Sequence, residues 1–495
     1  MSLNQSKLSE TNDGTEVSVI RTLPLTIAER LEFYHQEHLL RAWKSLSNQQ
    51  QSAFARELEQ VDFDHLIELF EDQRSGKASH QETPHQKAAR ARPPAALVRQ
   101  PRTDEEQASW RAAEARGEQL LTEGRVGAIL VAGGQGTRLG FDHPKGMFPI
   151  GPVSNATLFQ LFCEQILARS RRAGKPIPYY IMTSDATHAE TVEFFREHRN
   201  FGLPDSDVRF FQQGTMPAID AKTGRLLMSA PGQLAMSPDG HGGLLQALQK
   251  SALLDDMNER GIDFLYYHQV DNPLAIVVDP AYLGWHALEG ADVSTKVVAK
   301  SGPEEKMGVA VDVDGLTQII EYSDLPKEAA HRLNAAGELE LWAGSTAIHI
   351  FSREFLNRLT AAQWNLPFHV AHKAVPHMAA ETGDIVAPKE PNAYKFERFI
   401  FDVLPEARKA LVVEADRKRE FAPLKNASGV HSADDVKCSL VAVFRDWLTT
   451  AGVKIPADTA VEISPLVAID APEFAAKVQS GLQPVKSDAG LLWKA

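Results

Sequence analysis

Residues 130–151 read LVAGGQGTRLGFDHPKGMFPIG, and they are residue types that can hold a phosphate. Gly133, Gly134 and Gly136 follow an apolar run, at the place where a buried strand would end and a turn begin. Glycines there permit positive φ and let the main chain approach a ligand closely. Thr137 and Arg138 come next, then Lys145 behind a proline. A guanidinium can fork onto two phosphate oxygens, and an ammonium adds a compact second charge. Successive backbone N–H groups with two cations form an anion cradle rather than a plain strand-to-helix turn.

Spacing excludes three other nucleotide-binding patterns. A P-loop needs G-x-x-x-x-G-K-[ST], and no Lys-Ser or Lys-Thr pair follows these glycines. The dinucleotide fingerprint needs G-x-G-x-x-G; Gly134 and Gly136 begin it, but Gly140 comes one residue late. The ribose-binding acid expected about 20 residues on has no candidate, because that place falls in the helical pattern TLFQLFCEQ. The kinase glycine loop fails on the same spacing.

Such a loop needs a sheet to hold it. VGAILVA, PYYIMTS, DVRFFQQ and DFLYYHQV read as strands apolar along their length, alternating with amphipathic helical stretches from residue 126 onward. That alternation predicts an α/β fold with a mostly parallel sheet covered on both faces. GVAVDVDGLTQIIEYS reads as a hairpin, adding an antiparallel part after about residue 293. Residues 23–73 read as helices, with capping boxes at TIAE (26–29) and SNQQ (47–50). Residues 75–102 are polar, rich in Pro and Ala and without period, as in a linker or an extended strap. Near the C-terminus Ser432 reads as an N-cap, Val436, Leu440, Val443, Phe444 and Trp447 as one helix face, and Gly452 as the stop. The expected organisation is an N-terminal helical region and linker over 1–103, a catalytic domain over 104–406 and a small C-terminal domain over 407–495.

A chain of 495 residues exceeds one ordinary core, so two or three domains are expected. The net charge of −13 argues against nucleic acid as a partner, which calls for a basic footprint, but not against a small anion. No run of 18 apolar residues suggests a membrane span, and MSLNQSKLSETNDGTEV lacks the apolar core of a signal peptide. Cys163 and Cys438 show no metal-ligand spacing and read as reduced thiols in packed helices, which points to the cytoplasm. His369, His372 and His377 lie close in sequence without a cysteine or acidic triad, so they read as structural or solvated.

The loop, with its T-R-L-G and P-K-G-M, resembles the UDP-sugar pyrophosphorylases (UTP:sugar-1-phosphate uridylyltransferases), most of all the eukaryotic-type UDP-N-acetylhexosamine pyrophosphorylases. The likeness runs in order through QEHLLRAW, FFQQGTMPA, SPDGHGG, VDNPLA, GADVSTKVVAK, FERFIFDVL and FAPLKNASG. It implies a Rossmann-like nucleotidyltransferase domain that makes a UDP-sugar and pyrophosphate from UTP and a sugar 1-phosphate, N-acetylglucosamine 1-phosphate foremost. A sugar-phosphate oxygen would attack the UTP α-phosphorus in line, which calls for alignment and charge neutralisation rather than a covalent nucleophile.

The resemblance also implies roles. Gly133, Gly134 and Gly136 would hold the nucleotide by main chain, and Thr137 with Arg138 would cradle the leaving pyrophosphate. Lys145 and Lys425 would flank the reacting phosphates as catalytic cations. Gln213 would read the uracil edge, and Gly240 would approach the base by backbone. Asp271 would hold Mg²⁺, whose usual environment is one carboxylate plus phosphate oxygens. Glu321 would accept hydrogen bonds from sugar hydroxyls.

Two positions depart from the N-acetylhexosamine pattern, both on the sugar side. His241 and Ser345 stand where Asn is usual, and loss of an amide that bonds an acetamido group can shift preference. A UDP-glucose or UDP-galactose-type pyrophosphorylase is therefore the alternative. A non-catalytic nucleotide-sugar-binding regulator would be expected to lose Arg138, Lys145, Asp271 or Lys425, and all four are present. The sequence leaves open whether the protein works as a monomer or a dimer.

Overall fold

A computed structural model describes residues 25–75, 84–362, 364–379 and 382–494. Its centre is a ten-stranded sheet, counted among the described residues. The strands are β1 (Leu97–Val98), β2 (Val126–Val131), β3 (Tyr179–Thr183), β4 (Val208–Gln212), β5 (Phe264–Gln269), β6 (Val293–Ala299), β7 (Val309–Val313), β8 (Leu316–Ile320), β9 (Ala343–Ser352) and β10 (Ala410–Glu414). The order across the sheet is β1-β10-β6-β9-β5-β2-β3-β4, with the β7–β8 hairpin paired onto β9. β2, β3, β4 and β5 run parallel, as do β1, β6 and β10; β9 is antiparallel to both its long neighbours.

The strands are buried on both faces, as their continuous apolar runs predict. Successive residues alternate between two cores. Ala128, Leu130, Tyr179, Ile181 and Tyr266 pack into one, while Ile129, Tyr180, Met182, Leu265 and Tyr267 pack into the other. The α/β class with a mostly parallel mixed sheet therefore stands. The hairpin turns at Asp314 and Gly315, both at positive φ, the conformation that a two-residue Asp-Gly loop favours.

The sheet reaches past the 104–406 span at both ends. β1 comes from the polar stretch read as a linker or strap, and two residues are too few to show a period. β10 lies beyond residue 406 and inserts between β1 and β6. The helix Ala433–Thr450 starts at Ser432, whose side chain accepts from the Asp435 N–H. Val436 and Leu440 join the main core, while Leu448 joins a separate cluster with Val461, Phe474 and Trp493. Cys163 is buried, but Cys438 is exposed on that helix, against the expectation of a packed thiol.

Some boundaries differ from the sequence reading. The stretch GLLQALQKSALLDDMNERG forms two helices, Leu244–Lys250 and Leu253–Glu259, broken where Ala252 takes φ 53°. The helix Leu25–Phe33 already includes Thr26, so Thr26 is no N-cap, whereas Ser47 and Gln50 form the expected capping box.

The described residues divide into two compact units, one taking in 25–75, 215–237 and 370–396, the other the rest. In the first unit buried polar side chains bind the N-terminal helices to the 215–237 segment. Gln36 donates to the Gly224 C=O and accepts from the Leu226 N–H, and His38 Nε2 lies 2.8 Å from the Leu226 C=O. Among the described residues no helix is long and apolar enough to cross a membrane.

Candidate active site

The glycine loop leaves the C-terminal end of β2 and folds back on itself. The Gly136 N–H donates to the His143 C=O at 2.9 Å, and the Lys145 N–H donates to the Gly134 C=O at 3.0 Å. This pairing places Lys145 beneath the loop. Gly133, Gly134 and Gly136 do not take positive φ; that expectation is corrected. What the loop demands is space. A Cβ on Gly133 would stand 2.6 Å from Gln213 Oε1, and one on Gly136 would stand 2.7 Å from the Phe141 C=O. A Cβ on Gly134 would meet nothing within 4 Å, and the residue is exposed. Thr137 and Arg138 lie on an exposed 3₁₀ turn closed by Gly140 at φ 70°.

Gln213 follows β4, its N–H donating to the Thr183 C=O, which extends the β3–β4 ladder to the site. Gly240 needs to be glycine on two counts. Its φ is 84°, and a Cβ there would lie 2.4 Å from the Arg398 C=O. Gly133, Gly134, Lys145, Gln213, His241 and Asp271 line one cavity of about 320 Å³. Asp271 sits in the turn after β5.

Charge concentrates where these elements meet. Burial lowers the Lys145 ammonium below its usual pKa; Asp271 opposes that shift, and Lys425 and Arg138 reinforce it. Asp271, Lys425 and Arg138 thus all lie close enough to act on Lys145. Glu321 is raised, first by burial and then by Asp324, against the nearby Lys425 and His369. Ser345, on β9, donates its N–H to the Gly308 C=O at 2.8 Å, and a Cβ on Gly308 would come 2.9 Å from Glu321 Oε1. Ser345 and Glu321 are therefore neighbours across Gly308.

His241 is stacked against Phe399 at 5.4 Å, and its Nδ1 accepts from the Ile400 N–H at 3.2 Å. Burial, helped by His369, pushes it down to about 4. Its ring is neutral near pH 7, with the proton on Nε2. No three His, Cys, Asp or Glu side chains gather as a metal cage among the described residues. The donor at the cavity is the single Asp271 carboxylate, which suits a Mg²⁺ ion completed by substrate phosphates.

A family profile described as UTP--glucose-1-phosphate uridylyltransferase matches residues 68–487. The chain belongs to this family. UDP-N-acetylhexosamine pyrophosphorylase-like protein 1 of Homo sapiens is 38% identical over 439 residues, 86% of each chain. The UDP-N-acetylglucosamine pyrophosphorylase of Saccharomyces cerevisiae is 38% identical over 358 residues, 70% of this chain and 75% of its own. Among solved structures, the uridine diphosphate N-acetylglucosamine pyrophosphorylase of Trypanosoma brucei, in complex with inhibitor, matches with a TM-score of 0.78. Its identity is 28%, over 92% of this chain and 94% of that one. A UDP-glucose phosphorylase of the same organism, 17% identical with a TM-score of 0.60, shares the fold.

In this uridylyltransferase-family chain six of the candidate residues line one cavity, and three further residues stand near it. His369, read as structural or solvated, holds Asp402 at 2.7 Å and stacks on Phe399 at 4.4 Å. Burial opposes its protonation, but Asp402, with Asp324 and Glu321, raises it above the usual histidine value. His372 and His377 belong to the other unit. Asp239 is 5% exposed, and Cβ atoms on Gly214 and Gly243 would fall within 2.6 Å of its carboxylate. Asn272 is likewise buried behind Asp271. Asp239 and Asn272 carried no signal in a single sequence, because Arg398 and Ala422, which they bond, lie far along the chain.

Proposed function

We propose that this protein transfers the uridylyl group of UTP to a sugar 1-phosphate, N-acetylglucosamine 1-phosphate foremost, with release of pyrophosphate. The observation that carries the reading is the cavity that Lys145 and Asp271 line together with Gln213 and the open Gly134, with the charges of Lys425 and Arg138 close enough to act on Lys145. An amide supplies both a donor and an acceptor, which is what an imide edge requires, so Gln213 is assigned to the uracil. Lys145 and Lys425 are assigned to the reacting phosphates, and Thr137 with Arg138 to the leaving pyrophosphate. The attacking phosphate oxygen is already anionic, so no general base is called for; a histidine near pKa 4 beside it is consistent with that. Asp271 would hold Mg²⁺, which, when bound, neutralises charge on the transferred and leaving phosphates.

The N-acetylglucosamine assignment rests on the relatives just described. A plain hexose 1-phosphate is the second reading, and His241 and Ser345 favour it. Pyrophosphate release with UTP and Mg²⁺ across the 1-phosphates of glucose, galactose, N-acetylglucosamine and N-acetylgalactosamine decides between them. An acetamido preference supports the first reading, a hexose preference the second, and silence with all four overturns both. Arg138→Ala should depress turnover with every accepted sugar alike, because pyrophosphate is common to all; a silent variant would remove the phosphate role of the loop.

A further inference from the structure

Lys425 reaches the site on an irregular segment, yet that segment is fastened at alternate residues. Asn272 is 3% exposed, and both ends of its amide are used. Its Nδ2 donates to the Glu420 C=O at 2.8 Å, and its Oδ1 accepts from the Ala422 N–H at 3.1 Å. The Leu424 N–H then donates to the Asp271 C=O at 2.7 Å. Bonds at 420, 422 and 424 repeat with the period of a strand, although no strand forms there. Upstream, the Glu420 carboxylate pairs with Lys296, a β6 lysine 2% exposed whose Nζ also bonds Asp279 at 2.7 Å. Downstream, the N–H groups of Lys425 and Asn426 both donate to the His431 C=O.

We propose that Asn272 is a positioning residue that sets Lys425 against Asp271 before substrate arrives. The proposal rests on the uridylyl-transfer reading of this site. Two cations brought to one empty site repel each other, and the charge of Lys425 acts on Lys145. A freely hinged segment would let Lys425 swing out to solvent; the Asn272 clamp opposes this with backbone bonds that leave the ammonium itself free. The amide is required because one end must donate and the other accept. A carboxylate could serve Ala422 but would face the Glu420 carbonyl without a proton. Lys425 is thereby seated on the turn after β5, although its chain runs on into the Ala433–Thr450 helix.

The test is a double-mutant cycle on the full-length enzyme with Asn272→Asp, Asn272→Ala and Lys425→Met, read by pyrophosphate release. Each Asn272 variant should lower kcat about 10- to 100-fold, the cost of small misplacement of a reacting group. The KM for UTP should stay within about twofold, because the base is held elsewhere. In the Lys425→Met background the same change should cost less than about twofold, since residues acting as a unit are not additive. An equal cost in both backgrounds, or a change confined to KM, overturns the proposal. Hydrogen exchange on the wild-type protein without substrate supplies an arm that depends on no variant folding. The amides of Ala422 and Leu424 should be protected, and exchange at unfolded-chain rates overturns the clamp even if turnover is normal. Wild type that protects these amides but releases no pyrophosphate overturns the uridylyl reading instead, and the positioning role with it.

Discussion

At the end of the cavity assigned to the base, the main chain does the work; at the end assigned to the sugar, side chains from scattered elements do. Gly133 admits Gln213 only because it has no Cβ, and Gly240 combines φ 84° with close approach to Arg398. No substitution keeps either geometry. On the side assigned to the sugar are His241, Glu321, Ser345 and His369, side chains from four separate segments; His241 accepts from the Ile400 N–H and His369 pairs with Asp402. Side chains of that kind can be exchanged without moving the backbone. The nucleotide should thus be fixed by the fold and the sugar by residues that vary on it.

Between the two ends lies the charged corner, where the largest effect is expected. Lys145→Met should lower kcat about 10²- to 10³-fold with every sugar alike, as loss of a preorganised charge at a reacting phosphate does. Pyrophosphate-release kinetics across the sugar panel check it. A loss that depended on the sugar would blur the line between the two ends.

Gly133→Ala attacks the base end. The methyl would stand 2.6 Å from Gln213 Oε1, so the amide must turn away. Overpacking of about 1–3 kcal/mol should raise the KM for UTP about 5- to 100-fold, with the order of sugars unchanged. Unchanged UTP affinity would show that Gln213 can read the base from a second pose.

The same contrast explains what the sequence disclosed. The glycine loop, the hairpin turn and the Ser47 capping box are contiguous, and contiguous constraints leave a local signature in residue type. The doubly buried strands announced the α/β class through their apolar runs. Lys425 and Asp271 were found only because family motifs surround them; their residue types alone carry little. β1 escaped because two residues show no period, and Gly133, Gly134 and Gly136 turned out to serve close approach rather than positive φ. Asn272 and Asp239 stayed hidden because their partners lie far along the chain, at Ala422 for Asn272 and Arg398 for Asp239. Contacts at that range leave no trace in one sequence.

His241→Asn attacks the sugar end. The ring packs on Phe399 and keeps its Nδ1 on the Ile400 N–H, so an amide would lose the stacking while restoring a donor and an acceptor. Relative kcat/KM between acetamido and plain hexose 1-phosphates should shift about 10-fold, with the UTP KM nearly constant. A shift in UTP KM instead would assign His241 to the nucleotide.

The smallest expected effect concerns stability rather than turnover, and it probes the wall behind the base end. Asp239 is buried between Gly214 and Gly243, and its Oδ1 has no partner. Burial pushes its carboxyl up to about 6, and the charge of Arg398 only partly offsets this. An unfolded aspartate titrates at about 3.9. Between about pH 4 and 6 the folded state therefore binds more protons than the unfolded one, and stability falls as pH rises through that window. Above pH 6 the whole cost is present. Asp239→Asn removes the titration, so its advantage in Tm over wild type should be absent near pH 4, grow to pH 6 and stay level above. The underlying stability difference should reach about 1–3 kcal/mol. Thermal melts of both proteins from pH 4 to 8 check the sign. An advantage that grew toward low pH would mean that the folded site favours the ionised carboxylate, and the glycines around Asp239 would then be an anion cradle of their own.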